Sequence, residues 1–196
     1  MLERPETAVP TPFVSSMMRV EPGWIDYNGH LNMAYYNVLF DRAVDEVYEL
    51  LGLGLAYVDV SRHSTFTAEV HVRYLRELHS GDPVRVTFQL LGYDAKRLHY
   101  FEELHHAEEN WLSATSENMA LHVDMDARKA AAFPPEIAAR LTGDLKAILD
   151  LHEFATRLAP LGVTVSHASP AQFRALIEND TARWADIVKS VGISVP

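Results

Sequence analysis

Cysteine is absent from the 196-residue chain, which removes disulfides, thiolate metal sites and a cysteine nucleophile together. Basic residues are few: 17 Lys and Arg stand against 27 Asp and Glu, a formal net charge of -10. Such a balance does not suit a phosphate backbone, so nucleic acid is not an expected partner. No run approaches the roughly 20 apolar residues of a membrane span, and the N-terminal MLERPETAVPTPF has no apolar signal stretch. Missing as well are a G-x-S-x-G elbow, a phosphate loop, H-E-x-x-H and a G-x-G-x-x-G after a strand; Gly52-Leu53-Gly54 lacks the third glycine. The expectation is a cytoplasmic protein without cofactor or metal, and with no membrane partner.

Apolar residues make up 48% of the chain and charged residues 22%, enough for a packed core and too apolar for disorder. Residues 13–20 (FVSSMMRV) read as a strand, and PGWIDYNGHLN after them as a loop. Over about 33–51, Tyr36, Leu39, Phe40, Ala43, Val44, Val47, Leu50 and Leu51 recur at spacings of three and one. That stripe is one buried helix face, and Gly52 can end it. Period-two alternation then marks strands: Phe66, Ala68, Val70, Val72, Tyr74; Val84, Val86, Phe88, Leu90; Leu98 to Leu104; and Met119, Leu121, Val123, Met125. Short turns between them imply antiparallel neighbours. A sheet with one apolar face needs a cover, and the long helix is that cover. This is an α+β fold. Pro134-Pro135 breaks the chain, with helix-like residues 136–158 and 170–191 beyond it. The expected division is a domain over 1–135 and a helical extension over 136–196.

Trp24-Ile25-Asp26-Tyr27-Asn28-Gly29-His30-Leu31-Asn32 immediately precedes the long helix. A helix N-terminus offers unpaired N–H groups and a positive dipole end, which can stabilise an oxyanion. Asp26 in the loop feeding it can serve as a general base on water or as a nucleophile. Plainer roles stand beside these: Asn32 as N-cap, Gly29 as the positive-φ residue of a turn, His30 as a hydrogen-bonding residue. The cluster HYFEELHH at 99–106 puts His99, Glu103 and His105 on one strand face and His106 on the other, which reads as structural histidines rather than a metal site.

The loop D-x-N-G-H-x-N followed by a helix beginning MAYYNVLFDRA resembles the hotdog-fold acyl-CoA thioesterases of the 4-hydroxybenzoyl-CoA thioesterase type. The resemblance covers about residues 13–135. It implies a five-stranded antiparallel sheet wrapped around one long helix, with a homodimer or dimer of dimers whose sheets join side by side. It also implies Asp26 as the catalytic carboxylate three residues before Gly29, the Met33 N–H as oxyanion donor, and Asn28, His30 and Asn32 as orienting residues. PGWIDYNGH, Glu69-Val70-His71, Gly81-Asp82, the stretch from Leu90 to His99 and Leu121-His122-Val123-Asp124 look more narrowly like the betainyl-CoA thioesterases of carnitine breakdown. The helix start Leu31-Asn32-Met33-Ala34-Tyr35 departs from that group.

The implied activity is hydrolysis of a small acyl-CoA. A betainyl cation binds on aromatic faces, for which Trp24 and Tyr27 are candidates. Glu69 is a candidate second carboxylate. Arg73, Arg76, Lys96 and Arg97 are candidates for the phosphates of CoA. The rival is a non-catalytic acyl-CoA or ligand-binding module on the same fold. Residues 157–196, with Ser169-Pro170, Arg183-Trp184, Ile187-Val188-Lys189 and Gly192-Ile193, resemble the end of tripartite tricarboxylate transporter receptors. They are too short to form such a receptor's cleft.

Overall fold

The computed structural model describes residues 12–149 and 170–190. Two short strands, β1 (Phe13–Val14) and β2 (Met18–Arg19), lead through a 3-10 turn at Pro22–Trp24 to helix α1 (Met33–Leu51). The short α2 (Leu55–Ser61) follows, then β3 (His63–Tyr74), β4 (Pro83–Tyr93), β5 (Arg97–His106), β6 (Leu112–Asp124) and β7 (Lys129–Ala130). Helices α3 (Pro135–Leu149) and α4 (Pro170–Ser190) complete the described elements.

Helix α1 forms where its stripe predicts. Tyr36, Leu39, Phe40, Ala43, Val44, Val47 and Leu51 are buried. The Asn32 side chain caps the start by accepting from the Ala34 N–H at 3.0 Å, and Gly52 ends the helix at φ 79° in the left-handed region. Replacing Asn32 by alanine is expected to cost about 1 kcal/mol, read as a lower urea midpoint. An unchanged midpoint would show that the cap carries no weight.

The sheet runs β1-β4-β5-β6-β3, with β2 also on β4 and β7 on β6, and every pairing is antiparallel. The single strand expected over 13–20 is two, and with β7 the sheet counts seven strands rather than five. The break is chemical. The Ser15 N–H donates to the Val86 carbonyl at 2.8 Å, and the Val86 N–H donates back to Ser15 Oγ at 3.0 Å. A buried hydroxyl thus takes over one rung of the ladder.

Alternation alone mistakes two faces. In β3 the register shifts between Thr67 and Glu69, leaving Ala68 without an opposite residue. This bulge moves Phe66 to the face opposite Val70, Val72 and Tyr74, so the five apolar residues do not share a side. In β6 the residues on the helix-facing register are Ala114, Ser116, Asn118, Ala120 and His122, all buried. The expected apolar set Met119, Leu121, Val123 and Met125 is out of phase with them. Strands β4 and β5 keep the expected faces, with Val84, Val86, Phe88, Leu90, Leu98, Tyr100 and Leu104 buried.

His122 lies in the core, bonded to the Tyr57 hydroxyl at 2.9 Å and the Ala131 carbonyl at 3.0 Å, with His63 and Phe133 packed on its ring. Burial, aided by the neighbouring His63, lowers its pKa from the ordinary 6.5. The unfolded chain therefore binds the proton that the folded chain refuses. Stability is expected to be complete above about pH 6.5 and to fall as the pH drops below it. Urea midpoints across pH 5 to 7.5, for the wild type and His122→Asn, check this.

The boundary expected at 135 moves. Ile137 and Leu141 of α3 are buried with Val47, Leu51, Phe88 and Leu98 in one core. Arg140 donates to the Leu50 carbonyl at 3.0 Å, and Tyr93 donates to that of Ala138 at 3.2 Å. The first compact unit reaches Ile148, and the second spans Leu149–Pro196. Within the second unit, α4 leaves Phe173, Leu176, Ile177 and Trp184 more than half exposed. Residues 150–158 of the expected helix at 136–158 lie outside the described residues.

Candidate functional site

The loop before α1 is a miniature hairpin. Ile25 pairs with Leu31, the Asp26 N–H donates to the His30 carbonyl at 3.0 Å, and the Gly29 N–H donates to that of Asp26 at 3.0 Å. Gly29 turns the tip at φ 87°, a region that disfavours side chains with a Cβ. The Leu31 N–H bonds to the Leu78 carbonyl at 2.7 Å, and the Asn32 N–H to that of Trp24 at 3.0 Å. The first bond fixes the loop to the body, and the second ties its two ends together.

That frame presents Asp26. One carboxylate oxygen accepts from the Asn28 N–H at 2.8 Å, an Asx turn that fixes the side chain. The other lies 3.9 Å from His30 Nδ1. The Asp26 side chain is 14% exposed and that of His30 34%, so both are sheltered yet reachable. Asp26, His30, Leu31 and Met33 line a cavity of about 410 Å³ together with Tyr36, Tyr74, Leu75, Arg76 and Glu77. At its mouth the first turn of α1 has one N–H to spare. Ala34 and Tyr35 donate to the Asn32 side chain and carbonyl, while the Met33 N–H takes none of the hydrogen bonds of the described residues. Tyr74 donates its hydroxyl to the Met33 carbonyl at 3.3 Å.

The other expected residues divide. Asn28 contributes its backbone, its side chain being exposed. Asn32 is committed to capping the helix. Tyr27 is 97% exposed and does not line the cavity. Trp24 is no cation cage: it is buried, Tyr35 stacks on its ring at 5.4 Å, and the Arg42 guanidinium lies 5.0 Å from the ring centre. A ligand cation would have to displace one of these two. Glu69 and Arg73 sit on β3 in the register opposite Val70, Val72 and Tyr74, and do not line the Asp26 cavity. Of the four basic candidates only Arg76 lines it, held 4.0 Å over the Trp111 ring. Arg97 pairs with Asp94, and the Lys96 ammonium donates to the Ala130 carbonyl at 3.3 Å.

A second cavity of about 300 Å³ lies farther along α1, lined by Asn37, Phe40, Asp41, Thr67, Tyr100, Glu102 and Asn118 among others. Glu102 is 1% exposed. One of its oxygens accepts from the Asn118 amide at 3.0 Å, and the other has no partner among the described residues. Burial, reinforced by Asp41, holds its acid well above the ordinary carboxylate range, against the pull of Asn118. Sequence reasoning passes over this group. Its signal is position: Glu102 occupies the buried register of β5 between Tyr100 and Leu104.

A thioesterase-like superfamily model matches residues 20–141, a span that holds the loop, α1 and all four long strands. The chain belongs to the thioesterase-like superfamily. Its fold is the hotdog fold. Among relatives of this thioesterase-like chain, a betainyl-CoA thioesterase of Pseudomonas aeruginosa is 43% identical over 122 residues, 62% of this chain and 77% of that protein. An L-carnitine dehydrogenase/betainyl-CoA thioesterase of Rhizobium meliloti is 40% identical over 123 residues, 63% of this chain but only 25% of the relative. The match to such fused proteins thus spans about a quarter of their length. A Staphylococcus aureus protein solved in complex with CoA superposes with a TM-score of 0.64 at 33% identity, covering 68% of this chain and 84% of that one. No helix among the described residues is long and apolar enough to cross a membrane.

Proposed function

We propose that this chain hydrolyses a small acyl-CoA thioester to the free acid and CoA. The observation that carries the reading is the sheltered Asp26 carboxylate sharing one cavity wall with the unpaired Met33 N–H. A thioester carbonyl oxygen seated at that N–H gains a fixed donor at the positive end of α1 for the charge it develops. Asp26 then takes a proton from an attacking water, and the C–S bond breaks to give the acid and the CoA thiolate; or Asp26 attacks the carbonyl itself, the C–S bond breaks to leave a mixed anhydride on Asp26, and water hydrolyses that anhydride to the acid and the free Asp26 carboxylate. In either route the thiolate takes up the proton that the water gives up. The Asn28 N–H and His30 hold the carboxylate in place. Arg76, braced on Trp111, meets the phosphates of CoA at the rim.

The names of the two relatives favour betainyl-CoA, a substrate of carnitine breakdown, and dependence on a CoA ester favours a cytoplasmic place of work. We further infer a homodimer. β3 ends the strand order, and its Phe66, Val70 and Tyr74 are about half exposed. An apolar edge of this kind invites a second copy. Thiol release from a panel of betainyl, aromatic and short aliphatic CoA esters tests the activity. Binding of CoA esters without turnover of any would favour the ligand-binding module instead.

A further inference from the structure

The second cavity holds an unusual group: a fully buried carboxyl, with one oxygen unpartnered among the described residues, in the lining of a space of ordinary ligand-pocket size. A buried acceptor left unsatisfied is costly, so its retention calls for a partner. Asp41 adds an exposed carboxylate from α1, and a cation seated beside Glu102 draws that acid back to its charged form. Phe40 and Tyr100 add aromatic walls, and Thr67 and Asn118 add polar ones. Two carboxylates with aromatic faces suit a compact organic cation that desolvates easily. A quaternary ammonium is such an ion, whereas an anion or a neutral branched alkyl group gains nothing from the carboxylates.

We propose that this cavity, with Glu102 as counter-charge and Asp41 beside it, receives the quaternary ammonium head of a cationic acyl group. The inference rests on the thioesterase reading above and reassigns cation recognition from Trp24 and Tyr27. Asp41 lies eight residues beyond Met33 on α1, about 12 Å along the axis, too far for a short acyl group bound within one protomer. The proposed dimer resolves this. Two β3 strands paired antiparallel set the Tyr74 end of one beside the Ser64–Thr67 end of the other. One protomer's Met33 then faces its partner's cavity.

The test compares betainyl-CoA with 3,3-dimethylbutyryl-CoA, which has carbon in place of nitrogen and nearly the same shape. The readout is the ratio of their kcat/KM values in wild type, Glu102→Gln and Asp41→Asn. A wild-type preference for the cation of a hundredfold or more is expected, falling at least tenfold in each variant. Asp41, exposed on α1, keeps the test alive if Glu102→Gln does not fold. A preference that neither substitution moves overturns the proposal. So does equal or better use of the neutral ester, which leaves the thioesterase reading standing. If no CoA ester is hydrolysed, that reading fails separately, and calorimetric titration of the full chain with choline and with 3,3-dimethylbutan-1-ol decides the site. Choline binding that is weakened by Glu102→Gln supports it. Equal binding of the two compounds, or none, overturns it.

Discussion

Asp26→Ala is expected to lower kcat for CoA-thioester hydrolysis by roughly 10²–10⁴-fold, the usual worth of a positioned acid–base group, with KM changed far less. The split follows from the geometry. In the proposed mechanism Asp26 touches the reacting carbonyl or its water, while the affinity for CoA comes from the walls and from Arg76. Asp26 is held by the backbone of its own loop, through the Asn28 N–H at 2.8 Å, so its removal leaves the frame bonded through Leu31 and Asn32. The urea midpoint should therefore stay near the wild-type value. A variant that turns over at the wild-type rate would sink the mechanism. One that loses CoA binding along with turnover would show that Asp26 builds the pocket rather than serving the reaction.

A chain ended at residue 135 is expected to lose cooperative unfolding, whereas one ended at 149 keeps it. Leu141 is fully buried and Ile137 4% exposed, both against α1 and the sheet. Truncating one such leucine to alanine costs about 2–5 kcal/mol, out of a total stability of about 5–15 kcal/mol for a domain. Losing two such side chains, and the bonds from Arg140 and to Ala138, consumes most of that margin. Circular dichroism during urea titration reads the outcome. Equal midpoints for the two truncations would place α3 outside the folding unit.

What is legible in the sequence follows the strength of the periodic signal. The α1 stripe is long and uninterrupted, and the helix spans Met33–Leu51 as the spacing predicts. The Asp26 loop is legible because its residues have local roles, as turn glycine, Asx carboxylate and capping asparagine. The failures have equally local causes. The bulge at Ala68 breaks the period of two, which alternation assumes to be unbroken. The buried register of β6 is Ala, Ser, Asn, Ala and His, small or polar residues of which Ser116 and Asn118 line the second cavity, so hydrophobicity points to the wrong side. α3 reads as part of the extension because Pro134-Pro135 looks like a boundary. In the fold Pro135 is the first residue of the helix, where a missing N–H costs nothing. Glu102 is invisible for a different reason: a carboxylate among leucines reads as a lapse in pattern until a cavity is seen beside it.

The unpaired Ala68 acts on β3 much as a frame shift acts on a message. The residues from Glu69 to Tyr74 keep their faces although the count along the chain is one too many for plain alternation. Deleting Ala68 would regularise the strand and leave the other residues on the faces they now occupy, because Thr67 and Glu69 already oppose the adjacent Ala120 and Met119. Deleting Val72 instead would force a slip that turns its neighbours to the other face. The length of β3 is therefore adjustable at the bulge and fixed elsewhere. A library of single deletions along β3, scored for folding and turnover, is expected to tolerate the loss of Ala68 and to show a gap at the positions around Val72.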